Sequence, residues 1–477
     1  MANAPPSEPR QDIAAEAVIE RYGELSGDKA SFAAMLATPL PVCLWANRLR
    51  ITADDLADRL KSEGFEVEPV AWNKDAFRLP ATARPGQSWL YKAGLCQIQE
   101  EAALLPVNLL APQPGEHILD LCAAPGNKTA QIATALNNRG TVIANDIQAG
   151  RLAPLHAAIA RLGLVNITTT AMDGVSFPRK SGPFDRVLAD VPCSGEGTIR
   201  KGPRMHQPVT DKFRNWLRGK QRALLRQAID LCRPGGRIIY STCTFAPEEN
   251  EAIVDAILSE RRDIQLISPA EDMAGTSPGI TEWQGKSFSK TLTKTLRVWP
   301  HKSGTGGFFA AILEKAGNPQ TASAATTPAL DSAARAVIDN FVNHFGLPQT
   351  TFKGLSTFRA GRRLKLISDD HRTPYLPEIQ ASGLTLTNDT AKVPKLSTEA
   401  AMAYGGFATR NVINLTQTER AAFMSQQHIF PSSEQITNCS EKGYVIVRAD
   451  GIALGVGMLR RDEDAPTLES QFPKNWT

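Results

Sequence analysis

The middle of the chain alternates short apolar runs with longer amphipathic stretches. The runs are rich in valine and isoleucine and are bounded by polar residues. Such runs, separated by helical patterns, predict a parallel sheet that is covered by helices on both faces. The expected fold class is therefore α/β, with a doubly wound, mostly parallel sheet. The first run is HILDL (117–121), and the others are TVIAND, VNITTT, FDRVLAD and GGRIIYSTC.

The stretch between the fourth and fifth runs has helical periodicity. In DKFRNWLRGKQRALLRQAIDLCR, apolar residues recur near helical spacing and arginines occupy the other sides. This pattern predicts one long helix with a single apolar stripe. The stripe consists of Leu217, Leu224, Leu225, Ala228 and Leu231.

The two flanks of this core differ from it and from each other. Before the core, the pattern predicts a strand, a helix that starts near Thr52 and another strand, which together make a small α/β module. After the core, a stretch rich in Ala, Thr and Pro predicts a linker, and Asp450-Gly451 between alternating runs predicts a β-hairpin in a β-rich domain. The expected divisions are an N-terminal tail and helix (1–25), an N-terminal module (26–95), the core domain (96–315), the linker (316–335), a small intermediate domain (336–385) and a C-terminal domain (386–477).

Composition narrows the class of protein. The 477 residues are 42% hydrophobic and 21% charged, which is ordinary for a globular protein, and neither a signal pattern nor a membrane-length apolar stretch occurs. We therefore expect a cytoplasmic protein. Seven cysteines without a CxxC pair or zinc-finger spacing favour neither a disulfide framework nor a metal site.

Positive charge is concentrated in one part of the chain. The net charge is only +4, but residues 179–240 hold fourteen Lys and Arg against five Asp and Glu. A patch of this kind favours a polyanionic partner such as nucleic acid, and its alternative is a solvated helix face.

A loop of small residues follows the first predicted strand. In DLCAAPGNKT, Ala123, Ala124 and Gly126 would allow a ligand to approach the backbone and the amides of the next helix. Asp146, twenty residues after Gly126, ends the second strand, where a carboxylate can bind both ribose hydroxyls. The absence of GxGxxG counts against a dinucleotide, whereas S-adenosylmethionine needs no phosphate cradle. Asp173 in MDGV could bind the adenine amine or could simply be a turn acid.

Two cysteines stand at the ends of neighbouring predicted strands, in DVPCSG (190–195) and STCT (241–244). The C5 atom of cytosine is a poor nucleophile, so its methylation requires a nucleophile to add first at C6. A thiolate suits this step because it attacks readily and can leave afterwards. Two inert buried thiols are the alternative, which the paired positions of Cys193 and Cys243 disfavour.

The same reaction needs an acid near N3 of the base and an activated thiol. Asp190, just before Cys193, is placed for the acid role. Lys128 and a helix expected from about Pro247 are candidates for lowering the pKa of the attacking thiol. These residues alone do not decide which cysteine attacks.

The motifs resemble those of the Sun/Nop-type family of RNA cytosine-5 methyltransferases. The segments DLCAAPGNKT, ANDI, DVPCSGEGTIRK and YSTCTFAPEENE stand in the order of the family's motifs I, II, IV and VI. The resemblance is specific over residues 90–315 and looser in the N-terminal module, which looks like the family's RNA-binding extension. The tail, with YVIVRADGIALGVGMLRR and FPKNWT, is similar to the PUA-like C-terminal domain of the small-subunit ribosomal RNA methyltransferase F type.

The resemblance implies a Rossmann-like methyltransferase core in which Cys243 is the nucleophile and Cys193 helps to release the adduct. Asn127 stands where many members have a second glycine, and since Asn is tolerated at a helix start, we expect cofactor binding to be retained. The implied S-adenosylmethionine pocket consists of Cys122, Ala123, Ala124, Pro125, Gly126, Asn127, Lys128, Asp146, Asp173 and Asp190.

Candidate RNA contacts follow the first cysteine motif. Arg200, Lys201 and Arg204 are predicted to bind phosphates around a base that has left its stack. A second cluster could equally be a solvated surface, and its neighbours Phe352 and Phe358 could stack on bases or belong to the core. This cluster consists of Arg359, Arg362, Arg363 and Lys365.

The expected function is formation of 5-methylcytosine in small-subunit ribosomal RNA, with S-adenosylmethionine as the cofactor and RNA as the partner. The same chemistry on transfer RNA is one alternative. Amino methylation is another, although DVPC lacks the Pro and Tyr/Phe of the turn typical of that reaction. A non-catalytic RNA-binding ribosome assembly factor is a third, against which the intact cysteines, Asp190 and Lys128 speak. The pattern leaves the oligomeric state and the target cytidine open.

Overall fold

The computed structural model describes residues 13–202, 209–270, 273, 275–318, 332–374, 379–388, 394–440, 442–461 and 465–476. Arg204 and most of the predicted linker lie outside these ranges. Among the helices in the described ranges, none has the length and apolar character needed to cross a membrane.

The N-terminal region is a small α/β module. Its helices are α1 (Ile13–Tyr22), α2 (Lys29–Leu36), α3 (Ala53–Ser62) and α4 (Trp89–Lys92), and its strands are β1 (Val42–Ala46), β2 (Glu68–Val70), β3 (Asn73–Leu79) and β4 (Cys96–Ile98). The strands form an antiparallel sheet in the order β2-β3-β1-β4. The predicted helix start near Thr52 is confirmed, because the Thr52 side chain accepts a hydrogen bond from the Asp55 amide and caps α3.

The core domain follows. Its helices are α5 (Leu105–Leu110), α6 (Asn127–Ala135), α7 (Ala153–Leu162), α8 (Asp211–Leu231), α9 (Glu251–Glu260) and α10 (Pro300–Ser303). Its strands are β5 (His117–Asp120), β6 (Thr141–Asp146), β7 (Ile167–Ala171), β8 (Phe184–Asp190), β9 (Cys232–Thr242), β10 (Ile264–Ile267), β11 (Thr276–Pro278), β12 (Glu282–Trp283), β13 (Lys286–Ser287), β14 (Leu296–Val298) and β15 (Phe308–Lys315).

The core sheet is mixed, with a parallel centre. The five predicted runs are the strands β9, β8, β5, β6 and β7, which lie side by side in that order and are all parallel. Beyond β9 the sheet continues through β15, β14 and β11 in antiparallel pairing, and β10 also pairs with β15. The expected parallel arrangement therefore holds for the centre and not for the flank.

Helices cover both faces of this sheet, as the apolar runs predict. The apolar stripe of α8 is buried and packs with Ala189 and Tyr240 of β8 and β9. The neighbouring residues Leu188 and Ile239 point to the other face, where they join the core formed with α5 and α6. This alternation explains why the runs are apolar throughout instead of alternating with polar residues.

The C-terminal region contains two smaller sheets. Its helices are α11 (Ser332–Phe345), α12 (Thr398–Tyr404) and α13 (Gln417–Met424), and its strands are β16 (Leu355–Ala360), β17 (Arg363–Ser368), β18 (Ile379–Ser382), β19 (Leu384–Asn388), β20 (Val412–Leu415), β21 (Gly443–Ala449), β22 (Ile452–Arg461) and β23 (Pro466–Ser470). The predicted hairpin is confirmed, with Asp450 and Gly451 in the turn between β21 and β22. Strand β18 pairs with β7 and extends the core sheet.

The N-terminal module and the C-terminal sheet share a hydrophobic core. Leu44 and Leu56 of the module belong to the same buried cluster as Val445 and Leu454 of the hairpin. The two ends of the chain are thus packed together beside the core domain.

Candidate active site

The small-residue loop joins β5 to α6 and is held close to β6. The Ala123 amide donates to the Asn145 carbonyl at 2.7 Å. Gly126 has a φ of 109°, and a Cβ atom there would lie 2.5 Å from Leu155 Cβ, so neither the backbone conformation nor the space suits another residue. The turn therefore requires its one glycine, as the motif predicts.

Asn127 opens α6 and contacts the N-terminal module. Its side-chain oxygen accepts a hydrogen bond from Gln97 Nε2 at 2.7 Å, and Gln97 belongs to β4. The residue that departs from the family pattern thus anchors the loop to the neighbouring sheet. Pro125 and Cys122 belong to the same loop, and burial raises the pKa of the Cys122 thiol.

The loop lies over a buried carboxylate that the sequence reasoning did not single out. Asp120 ends β5, and its Oδ2 accepts from Thr129 Oγ1 at 2.6 Å, while Oδ1 has no partner among the described residues. Burial raises the pKa of Asp120 to about 7. Asp120 Oδ1 is thus a hydrogen-bond acceptor without a donor, and it lies beneath the glycine turn. Such an acceptor fits the cationic methionine part of S-adenosylmethionine. Its position at the end of the first strand was the signal that could have identified it.

The two other acids of the predicted pocket lie in different settings. Asp146 is buried at the end of β6, where Oδ2 accepts from the Ala124 amide at 3.2 Å and Oδ1 lies 3.2 Å from Arg151. Asp173 caps a short turn by accepting from the Val175 amide, and its Oδ2 lies 3.4 Å from Lys220 Nζ. The turn role considered for Asp173 is therefore observed, whereas an adenine contact stays a prediction.

Replacing Asp146 with asparagine is expected to weaken binding of S-adenosylmethionine about tenfold or more. The reason is that hydrogen bonds to a charged acceptor contribute about 1.5–3 kcal/mol, and about 1.4 kcal/mol corresponds to a factor of ten. Titration calorimetry with the cofactor measures the change. Asp58→Asn, at an exposed acid on α3, is the matched control. An unchanged dissociation constant for Asp146→Asn would remove this residue from the pocket.

The sheet register brings the two cysteine turns together. Asp190 of β8 lies opposite Ser241 of β9, so the chain leaves both strands at the same edge. Cys193 Sγ and Cys243 Sγ are 3.4 Å apart, and the Cys243 amide lies 3.4 Å from Cys193 Sγ. Both residues are half-buried. The predicted thiol pair therefore exists as one cluster at the carboxyl ends of the central strands, where α/β proteins bind substrates.

The two thiols are electrostatically different. The hydrogen bond from Cys193 lowers the pKa of Cys243, and the nearby Lys128 and Lys201 lower it further against the opposing effects of burial and Asp190. The pKa of Cys193 is raised, first by its role as the donor to Cys243 and then by burial. The arrangement thus favours a thiolate on Cys243 and a protonated Cys193. The helix expected from about Pro247 begins only at Glu251.

Beside the thiols, Lys128 and Asp190 form an ion pair. Lys128 Nζ lies 2.7 Å from Asp190 Oδ2, and the Ser241 hydroxyl donates to Asp190 Oδ1 at 2.7 Å. Asp190 contributes to the raised pKa of Lys128 despite burial. The pair places a protonated donor and a fixed carboxylate next to Cys243.

A buried polar network holds the two cysteine turns from behind. Glu196 Oε2 accepts from Thr244, from Arg214 and from the Tyr22 hydroxyl, at 3.0, 3.1 and 2.8 Å. The Ser194 hydroxyl lies 2.7 Å from that of Thr244, which ties the residue after one cysteine to the residue after the other. Sequence reasoning missed this network, although Glu196 stands in the same motif as Cys193.

A second acid completes the network. Glu249 accepts from the Ser194 amide at 2.9 Å and from Gln221 Nε2 at 2.8 Å, and its Oε1 lies 3.4 Å from Arg214. Gln221 in turn donates to the Pro192 carbonyl at 3.0 Å. Helix α8 therefore fixes the backbone on both sides of Cys193.

The prediction that Arg200 contacts phosphate is wrong, because its side chain is buried and fully hydrogen-bonded within the protein. The side chain is 8% exposed, and all five guanidinium N–H donors bond to protein oxygens. These acceptors lie on Thr38, Pro39, Gly304 and Thr305, so Arg200 joins the N-terminal module to the core. Lys201 is exposed and adds to the positive field at Cys243, whereas Arg204 lies outside the described residues.

The second basic cluster lies far along the chain, on the β16–β17 hairpin. Arg362 and Arg363 are exposed, and Lys365 is half-buried. Phe352 is buried and its ring centroid lies 5.2 Å from that of Tyr404. Phe352 is thus a core residue, which was one of the two roles considered for it. Within the described ranges, the His, Cys, Asp and Glu side chains form no cluster that could hold a metal ion.

Two protein families match the chain over adjoining segments. Residues 107–314 match the family described as 16S rRNA methyltransferase RsmB/F, and residues 15–101 match the N-terminal domain of 16S rRNA methyltransferase RsmF. The first segment contains the glycine loop, both cysteines and the Lys128–Asp190 pair. The second corresponds to the N-terminal module.

Individual relatives extend the match. The chain is 29% identical to a protein of Aeromonas salmonicida named ribosomal RNA small subunit methyltransferase F, over 89% of each chain. It is 36% identical to a tRNA (cytosine(49)-C(5))-methyltransferase of Pyrococcus abyssi, over 62% of this chain and 95% of that one. Other curated relatives are longer, and the chain spans 46% of a mouse 28S rRNA (cytosine-C(5))-methyltransferase.

The fold is shared with solved structures. A methyltransferase homolog from Pyrococcus horikoshii superimposes with a TM-score of 0.57 and 30% identity, over 64% of this chain and 99% of that one. These matches agree with the cysteine pair and the glycine loop of the site. The chain belongs to the RsmB/F family of S-adenosylmethionine-dependent RNA cytosine-5 methyltransferases.

Proposed function

We propose that this chain forms 5-methylcytosine in small-subunit ribosomal RNA, with Cys243 as the attacking nucleophile. The observation that carries the proposal is the pair of thiols 3.4 Å apart, in which the pKa of Cys243 is lowered, beside the Lys128–Asp190 ion pair. Amino methylation does not require a pair of thiols. A non-catalytic RNA-binding factor does not require one either.

The residues act in a defined order in this proposal. The Cys243 thiolate adds to C6 of the cytosine, which makes C5 nucleophilic. The acid predicted near N3 is Asp190; because Asp190 is ion-paired with Lys128, the pair fills this role in the proposal, and Lys128 delivers the proton toward N3 as negative charge develops there. Bound S-adenosylmethionine supplies the methyl group to C5. Once Cys243 is bonded to C6, Cys193 no longer donates to a thiolate; it loses its proton to water and, as a thiolate, accepts the C5 proton. The C6–S bond then breaks, the C5–C6 double bond re-forms, the proton at N3 returns to Lys128 and Cys243 leaves as a thiolate.

The cofactor pocket in this proposal is the loop from Cys122 to Lys128 together with the acids at the ends of the central strands. Asp120 and Asp146 are buried beside the loop, so they are the acids that can hold the cofactor most rigidly. Asp173 and Asp190 complete the pocket, Asp173 toward the adenine and Asp190 toward the reacting base.

Ribosomal RNA is the substrate that the comparisons favour. The relative named for the small ribosomal subunit matches along 89% of this chain, including the C-terminal region, whereas the transfer RNA enzyme matches 62%. We assign the C-terminal sheet β20–β23 to the PUA-like domain expected for 386–477, and we expect the protein to act in the cytoplasm. Transfer RNA is retained as the second candidate because of the match to the Pyrococcus abyssi enzyme.

The experiment is a comparison of substrates. Unmodified small-subunit ribosomal RNA, small subunits assembled from it and unmodified transfer RNA are each incubated with the protein and S-adenosylmethionine and then sequenced after bisulfite treatment. We expect one protected cytidine in the ribosomal RNA or the subunit and none in transfer RNA. Protection only in transfer RNA would make transfer RNA the substrate in place of ribosomal RNA. Methylated RNA without any protected cytidine would contradict cytosine-5 chemistry.

A further inference from the structure

Two large aromatic side chains are exposed on the first turns of α8. Phe213 and Trp216 are 46% and 60% exposed, and their rings are stacked with centroids 5.8 Å apart and planes 18° from parallel. Nothing in the described part of the chain covers them. An exposed aromatic pair of this kind typically marks a surface that binds a partner.

The pair lies on the turns of α8 that also hold the two cysteine turns. Arg214, between the two aromatic residues, reaches the buried network behind the cysteines, and Gln221 bonds to the Pro192 carbonyl beside Cys193. With a rise of about 1.5 Å per residue, Trp216 stands roughly 7–8 Å from Gln221 along the helix axis. One side of this short helical segment therefore holds the cysteine turns, while Phe213 and Trp216 project from another side of the same turns.

Two exposed lysines stand near the pair in the chain, with one exposed acid, Asp211, in the first turn of α8. Lys201 and Lys212 are exposed, and neither forms an ion pair with a described residue. Farther along α8 the situation is different, because Arg222 and Arg226 both pair with Glu260. Lysines without an ion pair among the described residues therefore lie toward the end of the helix that carries the aromatic rings, and they outnumber the one acid there.

We propose that Phe213 and Trp216 form a stacking platform for an unpaired base of the RNA next to the target cytidine. This inference rests on the proposed function, since it assumes an RNA substrate whose target base leaves its stack. A flipped base deprives its neighbours of their stacking partner, and exposed rings flanked by lysines can replace that partner while the lysines hold the backbone. The occupant is RNA because of this charge complementarity, and a protein partner is the competing outcome of the test.

The test compares RNA affinities of Trp216→Ala and wild type by fluorescence anisotropy, with the RNA that wild type methylates. We expect an affinity loss of about tenfold or more, with recovery in Trp216→Phe, because base stacking on an aromatic ring contributes at this level. The slope of affinity against salt concentration should be unchanged in Trp216→Ala and reduced in Lys212→Ala, since only the lysine releases counterions. An unchanged affinity for S-adenosylmethionine verifies that the variant is folded.

Ile13→Ala is the matched control, because Ile13 is 60% exposed, as Trp216 is, but lies on α1. Equal losses in Ile13→Ala and Trp216→Ala, or an unchanged affinity in Trp216→Ala, would overturn the platform. So would a change of oligomeric state without a change of RNA affinity. Methylation by wild type tests the proposed function separately: an active wild type with an unaffected Trp216→Ala variant refutes only the platform, whereas a wild type that neither binds nor methylates RNA refutes both.

Discussion

Replacing Cys193 with alanine is expected to leave the protein covalently attached to its RNA. Cys243 retains its position beside Lys128 and can still add to C6, but the group that assists release of the adduct is gone. Since Cys193 also lowers the pKa of Cys243 by donating to it, the adduct should form more slowly than in wild type while accumulating to a higher level. Incubation with unmodified ribosomal RNA and S-adenosylmethionine, followed by a denaturing gel and sequencing of the crosslinked RNA, measures this.

Cys243→Ala should form no adduct and transfer no methyl group, because the attacking sulfur is absent. Cys439→Ala, at a half-buried cysteine of the C-terminal region, is the matched control and should behave as wild type. Adduct formation by Cys243→Ala and not by Cys193→Ala would exchange the two roles. Absence of adducts in both single variants, combined with retained methylation, would contradict a covalent mechanism.

Replacing Arg214 with methionine is expected to lower the free energy of unfolding by about 3–5 kcal/mol, the range for removing one partner of a buried ion pair. Arg214 is 4% exposed and contacts both Glu196 and Glu249, so its loss leaves two buried carboxylates without their cation. Urea unfolding measures the change. Arg222→Met, at a half-exposed arginine of the same helix that pairs with Glu260, should change stability by at most about 1 kcal/mol.

The same variant tests whether the network positions the thiols. Glu196 holds Thr244 and Glu249 holds Ser194, so freeing these acids should displace both cysteine turns. We expect slower alkylation of Cys243 at neutral pH and a lower kcat, with an unchanged affinity for S-adenosylmethionine because the glycine loop makes no contact with Arg214. A less stable variant whose Cys243 alkylation profile against pH equals that of wild type would limit Arg214 to a structural role.

The sequence by itself determined the local parts of this protein. The five central strands, the long helix α8, the cap at Thr52 and the Asp450-Gly451 turn all follow from residues close together in the chain, because apolar periodicity, capping and turn chemistry are local properties. The same local patterns predict that both cysteines and Asp190 stand at strand ends. Because the carboxyl ends of parallel strands lie at one edge of the sheet, these residues were expected to be close together.

Only the tertiary structure decided which groups meet and with what charge. Cys193 and Cys243 are fifty residues apart in sequence, and their contact, with the pKa of Cys243 lowered, exists because β8 and β9 are neighbours. The motif around Arg200 predicts a free cation, yet its guanidinium donates hydrogen bonds to oxygens of Thr38 and Pro39, some 160 residues earlier in the chain. Tyr22 and Arg214 likewise meet at Glu196 from distant segments. Burial and partner choice depend on how remote segments pack, which no local pattern encodes.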